Sequence, residues 1–578
     1  MGLGMMAQAA DIRAVRAADP RNISNGRRIP ALNYVDQPYA VVTSNGNWVC
    51  VMTTGKGLEG QAGQHVVSTV SGDQGKTWSP TVDIEPEDGP EASWATPLLT
   101  PSGRIYVFYV YNGEHVVTLP NSGRRIRSDT HGWYVFRFSD DGGLTWSAQR
   151  FRVPIRTTAV DRGNPWGGEV CHFWSIDKPK IANGKVYLAL TKLGRYFMQE
   201  GEGWFIVSDN LLTERDPDKI RFRLLPEGER GIRSPALGSI QEEFNHVPLT
   251  GDALLAVCRL ASGTPAQSCS RDGGLTWTEP VPMTYGPGKR CFKTPRACPR
   301  LFKSSDGRYL FWYHHHGAKS WSGRNPVFLS GGILKEDGRV HWSEPEVVLF
   351  HPNPSIRMSY PDLIEQDGRF WLTESQKTVA RVHALDPDLL EGLWEQESLA
   401  SVATNGLLFE KRDAGGIPSF PSISRRFGDL SRGGFSIELA FSLANSLPGK
   451  TLFSTLDEEG TGVRVTTSLL AGRPVLQIEL SDGHRIASWM TDPGALRLGV
   501  PQHIVWICDY SAGLVLPVVN GELADGGEVR AQGWGRLPAD LGEPKGSTRA
   551  YMGADVTAIR LYRRPLRVSE AVGNWRAK

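Results

Sequence analysis

The sequence predicts an all-β protein in two parts, a six-bladed β-propeller over residues 27–400 followed by a β-sandwich of the jelly-roll kind over residues 433–578. Three observations predict it. The pattern Ser-x-Asp-x-Gly-x-Thr-Trp stands three times, at Ser71–Trp78, Ser139–Trp146 and Ser270–Trp277, and its spacing sets a period of roughly 65 residues. Each period holds about four short alternating runs separated by tight turns, which is the content of one propeller blade. Near residue 400 the period stops, and new alternating runs follow without it.

The repeated octapeptide is a hairpin staple. Asp and Gly in tandem make a tight turn, the Asp accepting backbone N–H bonds and the Gly taking φ > 0. The Trp folds back as an apolar plug between two antiparallel strands. These Asp residues are therefore turn formers with no catalytic role.

Composition narrows the function classes. The 64 Lys and Arg against 62 Asp and Glu leave a formal net charge of +2, which offers no global field for nucleic acid or an acidic membrane. No run reaches the ~20 apolar residues of a membrane helix, so no span is expected. The 18 Trp and 64 Gly suit a turn-rich β protein, and aromatic side chains also suit sugar stacking. The seven Cys show neither Cys-x-x-Cys nor zinc spacing and read as free thiols, with Cys291 and Cys298 the one pair that could bridge a loop.

Taken in order, residues 1–26 form a tail whose Ala7-Gln8-Ala9 resembles a signal-cleavage site, so a secreted or periplasmic location is expected. The first blade follows with runs at Tyr39–Thr43, Trp48–Thr53 and His65–Val70. Glu91-Ala-Ser-Trp94 opens the second blade, and Glu169-Val-Cys-His172-Phe-Trp174 opens the third. In the third blade Ser208-Asp209-Asn210 is a worn staple. The fourth runs from Glu243 through Arg259, and Lys293-Thr-Pro-Arg296 opens the fifth, whose worn staple is Asp337-Gly338 with Trp342. The sixth is Tyr360–Trp394, with the N-terminal segment helping to close the ring. Residues 401–432 form a linker, and the sandwich strands include Phe435–Phe441, His503–Cys508 and Leu514–Val519.

The three staples are similar to the Asp-boxes of the sialidase (neuraminidase) superfamily, which implies a six-bladed propeller with its site on the central axis. Asp-boxes also occur in propellers without catalysis. Residues 556–570, with the Asn520-Gly521 hairpin, resemble the end of a laminin-G-like or concanavalin-like jelly roll. That resemblance leaves Ca2+ in the C-terminal part open, and no firm ligand set is visible for it.

By the same resemblance Tyr360 is the nucleophile, Glu243 its base, and Arg259 and Arg324 bind a substrate carboxylate. The chemistry is coherent, because a phenol attacks only when a carboxylate takes its proton, and guanidinium forks hold carboxylates bidentately. The chain departs from the family at two places. Arg28-Ile29-Pro30 is present, but Asp36-Gln37-Pro38 is expected to face the axis, which breaks the arginine triad. The loop that should carry the acid/base Asp offers Glu59 or His65 instead. Trp94, His172, Lys293 and Arg296 are expected to line the pocket with Asp36 and Gln37. His314-His-His316 cannot converge on one ion, since successive strand residues point to opposite faces; no metal is assigned and no cofactor is required.

Three functions stay open. An exo-acting glycoside hydrolase would release a terminal, acidic sugar from a glycan or polysaccharide, with Tyr360 and Glu243 as the reacting pair. A polysaccharide lyase would use Tyr360 or a His such as His65 or His172 to take a proton beside a uronate carboxylate. A non-catalytic propeller would only bind carbohydrate. The partner is an acidic glycan in the first two cases, and the oligomeric state is open.

Overall fold

The computed structural model describes residues 12–240, 243–412, 430–445, 447–547 and 550–577. Ala7-Gln8-Ala9 lies outside them, as does most of the expected linker. The chain is all-β, as its alternating runs require. Six antiparallel sheets of four or five strands follow one another along the chain, and a seven-stranded and a five-stranded sheet complete it.

In each of the first six sheets, the strands pair in chain order from a leading strand outward. Sheet one consists of Tyr34–Val42, Trp48–Gly55, His65–Ser71 and Val82–Asp83; sheet two begins with Ala92–Leu99, sheet three with Phe173–Trp174, sheet four with Phe244–Pro248, sheet five with Arg300–Lys303 and sheet six with Ser359–Gln366. Sheet six has only three strands of its own, Ser359–Gln366, Arg369–Ser375 and Ala380–Ala384. Its fourth is the N-terminal Arg27–Ile29, with Arg28 opposite Arg381. The N-terminal segment therefore completes the last sheet, and Arg28 stands exposed on an outer strand.

The three staples have one geometry. Ser71, Ser139 and Ser270 donate from Oγ to Asp73, Asp141 and Asp272 at 2.8–2.9 Å. The Asp then accepts from the backbone N–H of Thr77, Thr145 and Thr276. Each staple joins the third and fourth strands of its sheet. Its Trp reaches back to the preceding sheet: Trp146 donates to Ser68 Oγ at 2.9 Å, and Trp277 stacks on Phe205 with centroids 4.8 Å apart. The staples thus tie neighbouring sheets together while standing away from the site.

The two remaining sheets face one core. Phe435, Ile437, Ile504 and Trp506 of one sheet pack against Phe453, Val463, Val465 and Ile478 of the other. The opposite face of the first sheet packs on sheet five, bringing Val505, Leu516 and Val518 into one cluster with Phe311, Phe328 and Val347. Leu407–Arg412, expected to be linker, is a strand paired with Val556–Tyr562, because Leu407 and Phe409 find apolar partners there. The expected tail is likewise seated: residues 12–18 are helical, and Arg21 pairs with Asp509 at 2.8 Å. All seven Cys are free. Among the described residues no helix is long and apolar enough to cross a membrane.

Candidate active site

Two kinds of backbone position carry the candidate side chains, the start of each leading strand and the loop between the second and third strands of each sheet. Three leading strands begin with the same bulge, between Asp36 and Tyr39, between Ser93 and Thr96, and between Ser359 and Asp362. At each bulge a non-glycine residue takes positive φ: Gln37 at 52°, Trp94 at 66° and Tyr360 at 50°. A bulge re-aims one side chain out of the alternation, and such φ values persist only where the surroundings hold them. In sheet four the register Phe244 opposite Cys258 sets Glu243 beside Arg259, whose backbone N–H donates to the Glu243 carbonyl at 2.9 Å.

The side chains meet in one cluster. Tyr360 Oη donates to Glu243 Oε1 at 2.8 Å, and the Arg259 guanidinium pairs with the same carboxylate oxygen. Lys377 Nζ lies 4.3 Å from the centre of the Tyr360 ring, 2.6 Å from Asp36 and 3.3 Å from Glu59. Arg127 binds Asp129 at 2.6 Å and reaches Glu59 at 3.4 Å. Trp94 packs edge-on to Tyr360, with centroids 6.4 Å apart, and against Trp174 at 4.3 Å. Arg324 bonds neutral oxygens: Ser359 Oγ at 2.7 Å, the Trp321 carbonyl at 3.0 Å and the Arg296 carbonyl at 3.1 Å.

Burial and charge set the protonation of the cluster. Burial raises the Tyr360 phenol well above its usual range, and the carboxylates of Glu243, Asp36 and Glu59 raise it further. Asp36 is pushed up to about 6 by burial, against the pull of Lys377. Burial also works against the Glu59 carboxylate, but Lys377 and Arg127 outweigh it and hold Glu59 down at about 2. One ammonium thus serves two carboxylates with very different proton affinities.

The sequence-based assignments divide here. Tyr360, Glu243, Arg259, Arg324, Asp36, Glu59 and Trp94 come together, and Arg296 contributes a carbonyl to the loop of Arg324. Gln37 is fully buried at its bulge with no hydrogen-bond partner for its amide. Asp36 rather than Arg28 occupies the cluster, because Arg28 belongs to the outer strand of sheet six. His65 is a correction: its ring faces the Gly63 carbonyl at 3.4 Å and Asp83 at 3.6 Å, toward the outer strand. Lys293 is another, since its ammonium is taken by Asp525 and by the Gly527 carbonyl of the C-terminal part. His172 packs behind Arg127 with His131, Trp166 and Tyr196, where burial holds it neutral, well below the usual imidazole range. The three successive His diverge, His314 to the Pro326 carbonyl, His315 to Ala524 and His316 to Gly323.

Lys377 and Arg127 were not expected. Both stand in loops between second and third strands, as Arg259 does, so counting strands along each period is the signal that finds them. Beneath the cluster a buried ionic layer joins five sheets. Asp177 accepts from His246 at 2.7 Å and pairs with Arg300 at 3.3 Å, while Lys178 pairs with Asp362 at 2.8 Å and Asp362 accepts from Ala40 N at 2.8 Å.

Residues 98–372, which hold most of the repeated sheets, match the BNR repeat-like domain family. Among solved structures, the chain is similar to the intramolecular trans-sialidase from Ruminococcus gnavus in complex with oseltamivir carboxylate, at 16% identity over 64% of this chain and 99% of that one, with a TM-score of 0.46. The Trypanosoma rangeli sialidase gives 14% identity over 94% of each chain and a TM-score of 0.42. The leech intramolecular trans-sialidase complexed with 2,7-anhydro-Neu5Ac gives 15% identity over 62% of this chain and 69% of that one, with a TM-score of 0.44. No curated protein matches the sequence.

Proposed function

We propose that the protein is a glycoside hydrolase that releases a terminal acidic sugar, working at the axis of a six-bladed propeller with a laminin-G-like sandwich behind it. The observation that carries this reading is the 2.8 Å bond from Tyr360 Oη to Glu243 in a cluster that also holds Arg259, Lys377, Arg127 and Arg324. Glu243 takes the phenolic proton as Tyr360 attacks the anomeric carbon, forming a glycosyl-tyrosine, and Arg259 steadies the Glu243 carboxylate. Glu59, partly exposed at the mouth, protonates the leaving oxygen and later takes a proton from the incoming water. Arg324, whose side-chain bonds are to neutral oxygens, is the cation suited to a substrate carboxylate. The BNR repeat-like match supports the propeller, and six sheets joined by the Arg27–Ile29 strand support the count.

A uronate lyase is the second reading, favoured by the neutral imidazoles of His131 and His172 beside Tyr196 and Arg127. One experiment separates the two. The protein is incubated with a panel of acidic oligosaccharides while reducing ends and the absorbance of unsaturated uronate are followed. Reducing ends without that absorbance are expected; the absorbance replaces hydrolysis with elimination. Tyr360→Phe is expected to abolish turnover with the thermal unfolding curve unchanged, and near-normal activity would remove Tyr360 from the chemistry.

A further inference from the structure

The cations of the pocket are not equivalent. Arg259 is paired with Glu243, and Arg127 is forked on Asp129 at 2.9 and 2.6 Å and reaches Glu59 only at 3.4 Å, whereas Lys377 is divided between two carboxylates at 2.6 and 3.3 Å. Its contact with Asp36 is short at 2.6 Å, and Asp36 is fully buried and also accepts from Tyr34 Oη at 2.9 Å. Its contact with Glu59 is longer at 3.3 Å, and the Glu59 side chain is 29% exposed. The two ends of this bridge are also held differently. Asp36 is fixed in a leading strand, while Glu59 belongs to the turn between Trp48–Gly55 and His65–Ser71. Lys377 itself is fixed at φ 73°, with its N–H on Ser375 Oγ at 3.0 Å and its carbonyl accepting from Val35.

We infer that Lys377 is an exchangeable counter-ion: the carboxylate of a bound acidic sugar, shared between Arg324 and Lys377, replaces Glu59 on the Lys377 ammonium, while Asp36 keeps it in place, and Glu59 then takes up the proton it must deliver to the leaving group. This deepens the proposed function and rests on it. A sugar placed for attack by Tyr360 has its carboxylate within reach of Lys377, because the ammonium lies 4.3 Å from that ring. Glu59 is ionised in the free protein, held at about 2 by Lys377 and Arg127 after burial has opposed them. A carboxylate in that state cannot donate a proton. Every charged group facing Glu59 bears on the exchange: Lys377, Arg127 and, at longer range, Arg324 hold its charge, and Asp36 opposes it. When a substrate carboxylate neutralises Lys377, the largest of the holding interactions is weakened and the proton affinity of Glu59 rises. A neutral sugar makes no such exchange and leaves Glu59 unable to act. The pocket thereby couples recognition of an anionic sugar to the supply of its proton.

The test is calorimetric. Free N-acetylneuraminate and D-glucuronate are titrated into the full chain, in buffers of different ionisation heat, between pH 7 and pH 4. The proposal expects binding of at least one probe with net proton uptake, growing as the pH falls toward the new Glu59 value. Glu59→Gln, a change at the exposed end of the bridge, is expected to keep binding and lose the uptake. Binding without uptake, or uptake that survives in Glu59→Gln and disappears in Asp36→Asn, overturns the exchange and leaves the glycosidase reading standing. No binding of either probe, together with no turnover of any acidic oligosaccharide, overturns both. Lys377→Arg keeps the charge and is expected to keep a measurable uptake, which a purely structural lysine would not require.

Discussion

At the rim, Ser71, Ser139 and Ser270 make the same bond to the same kind of Asp, and the same Thr closes each turn. At the end of the sheets that carries the site, Gln37, Trp94 and Tyr360 share one bulge and one backbone conformation, yet they are an amide, an indole and a phenol. The rim repeats both residue and geometry, because each staple answers the same demand of closing a hairpin against its neighbour. The site end repeats geometry alone, because each position meets different neighbours in the cluster. The scaffold therefore supplies identical backbone sockets, and what each socket holds is set by the site.

The largest effect that tests this comparison is at the Lys377–Asp36 pair. Lys377 and Asp36 are both buried, and removing one partner of such a pair costs roughly 3–5 kcal/mol because the other charge is left without compensation. Lys377→Met should lose that much in urea unfolding at pH 7.5, and Asp36→Asn/Lys377→Met should regain most of it. The pH dependence has a definite sign. Asp36 is raised from 3.8 to about 6 in the folded protein, so its protonation favours folding below 3.8 and that contribution is lost as the pH rises toward 6. The deficit of Lys377→Met should accordingly be small at pH 4 and full at pH 7.5. An equal deficit at both would mean that Lys377 stabilises by packing alone.

How much of this was legible in the sequence follows from the same contrast. The staples announced themselves by identity, and three of the six sheets carry them in full; Tyr360, Glu243 and Arg259 were singled out by resemblance, and the structure brings them together. Asp36 was recognisable as a departure. Lys377 was not, because Asp36 and Lys377 stand in different sheets, one and six, and meet where Val35 N–H bonds to the Lys377 carbonyl. His65 and Lys293 were misplaced for a related reason. Each stands at the correct distance along its period, but strand alternation turns His65 toward Asp83, and the C-terminal part claims Lys293. Sequence period gives position along a sheet, while the partner across a sheet boundary depends on packing.

A smaller effect is expected from the buried imidazoles. His131 is lowered from 6.5 to about 4 by burial, and His172, His246 and His316 are lowered as well. A depressed histidine contributes stability that is present above 6.5 and lost as the pH falls. Between pH 7.5 and pH 5 the loss from His131 alone is roughly 2 kcal/mol. His172→Phe, which removes a ring without hydrogen-bond partners on either nitrogen, should flatten the slope of unfolding free energy against pH in this range. A slope unchanged by that substitution would assign the acid sensitivity to the other imidazoles.

The smallest effect belongs to the rim. Asp141→Ala removes the acceptor for Ser139 Oγ at 2.8 Å and for the N–H groups of Leu144 and Thr145 at 3.1 and 2.9 Å. With the donation from Thr145 Oγ1, four bonds suggest a large loss, but Thr145 and Leu144 are exposed, and water replaces the lost partner at such sites. The net cost should be about 1 kcal/mol, read from chemical unfolding, with kcat/KM on an acidic oligosaccharide unchanged. That outcome would separate the two ends of the sheet by function as well as by sequence. A fall in kcat/KM without a matching loss of stability would instead mean that the staple holds the neighbouring sheet in register for the site, since Trp146 of the same turn donates to Ser68 in the sheet that carries Asp36 and Glu59. The rim would then act on the pocket through the packing of sheet two against sheet one.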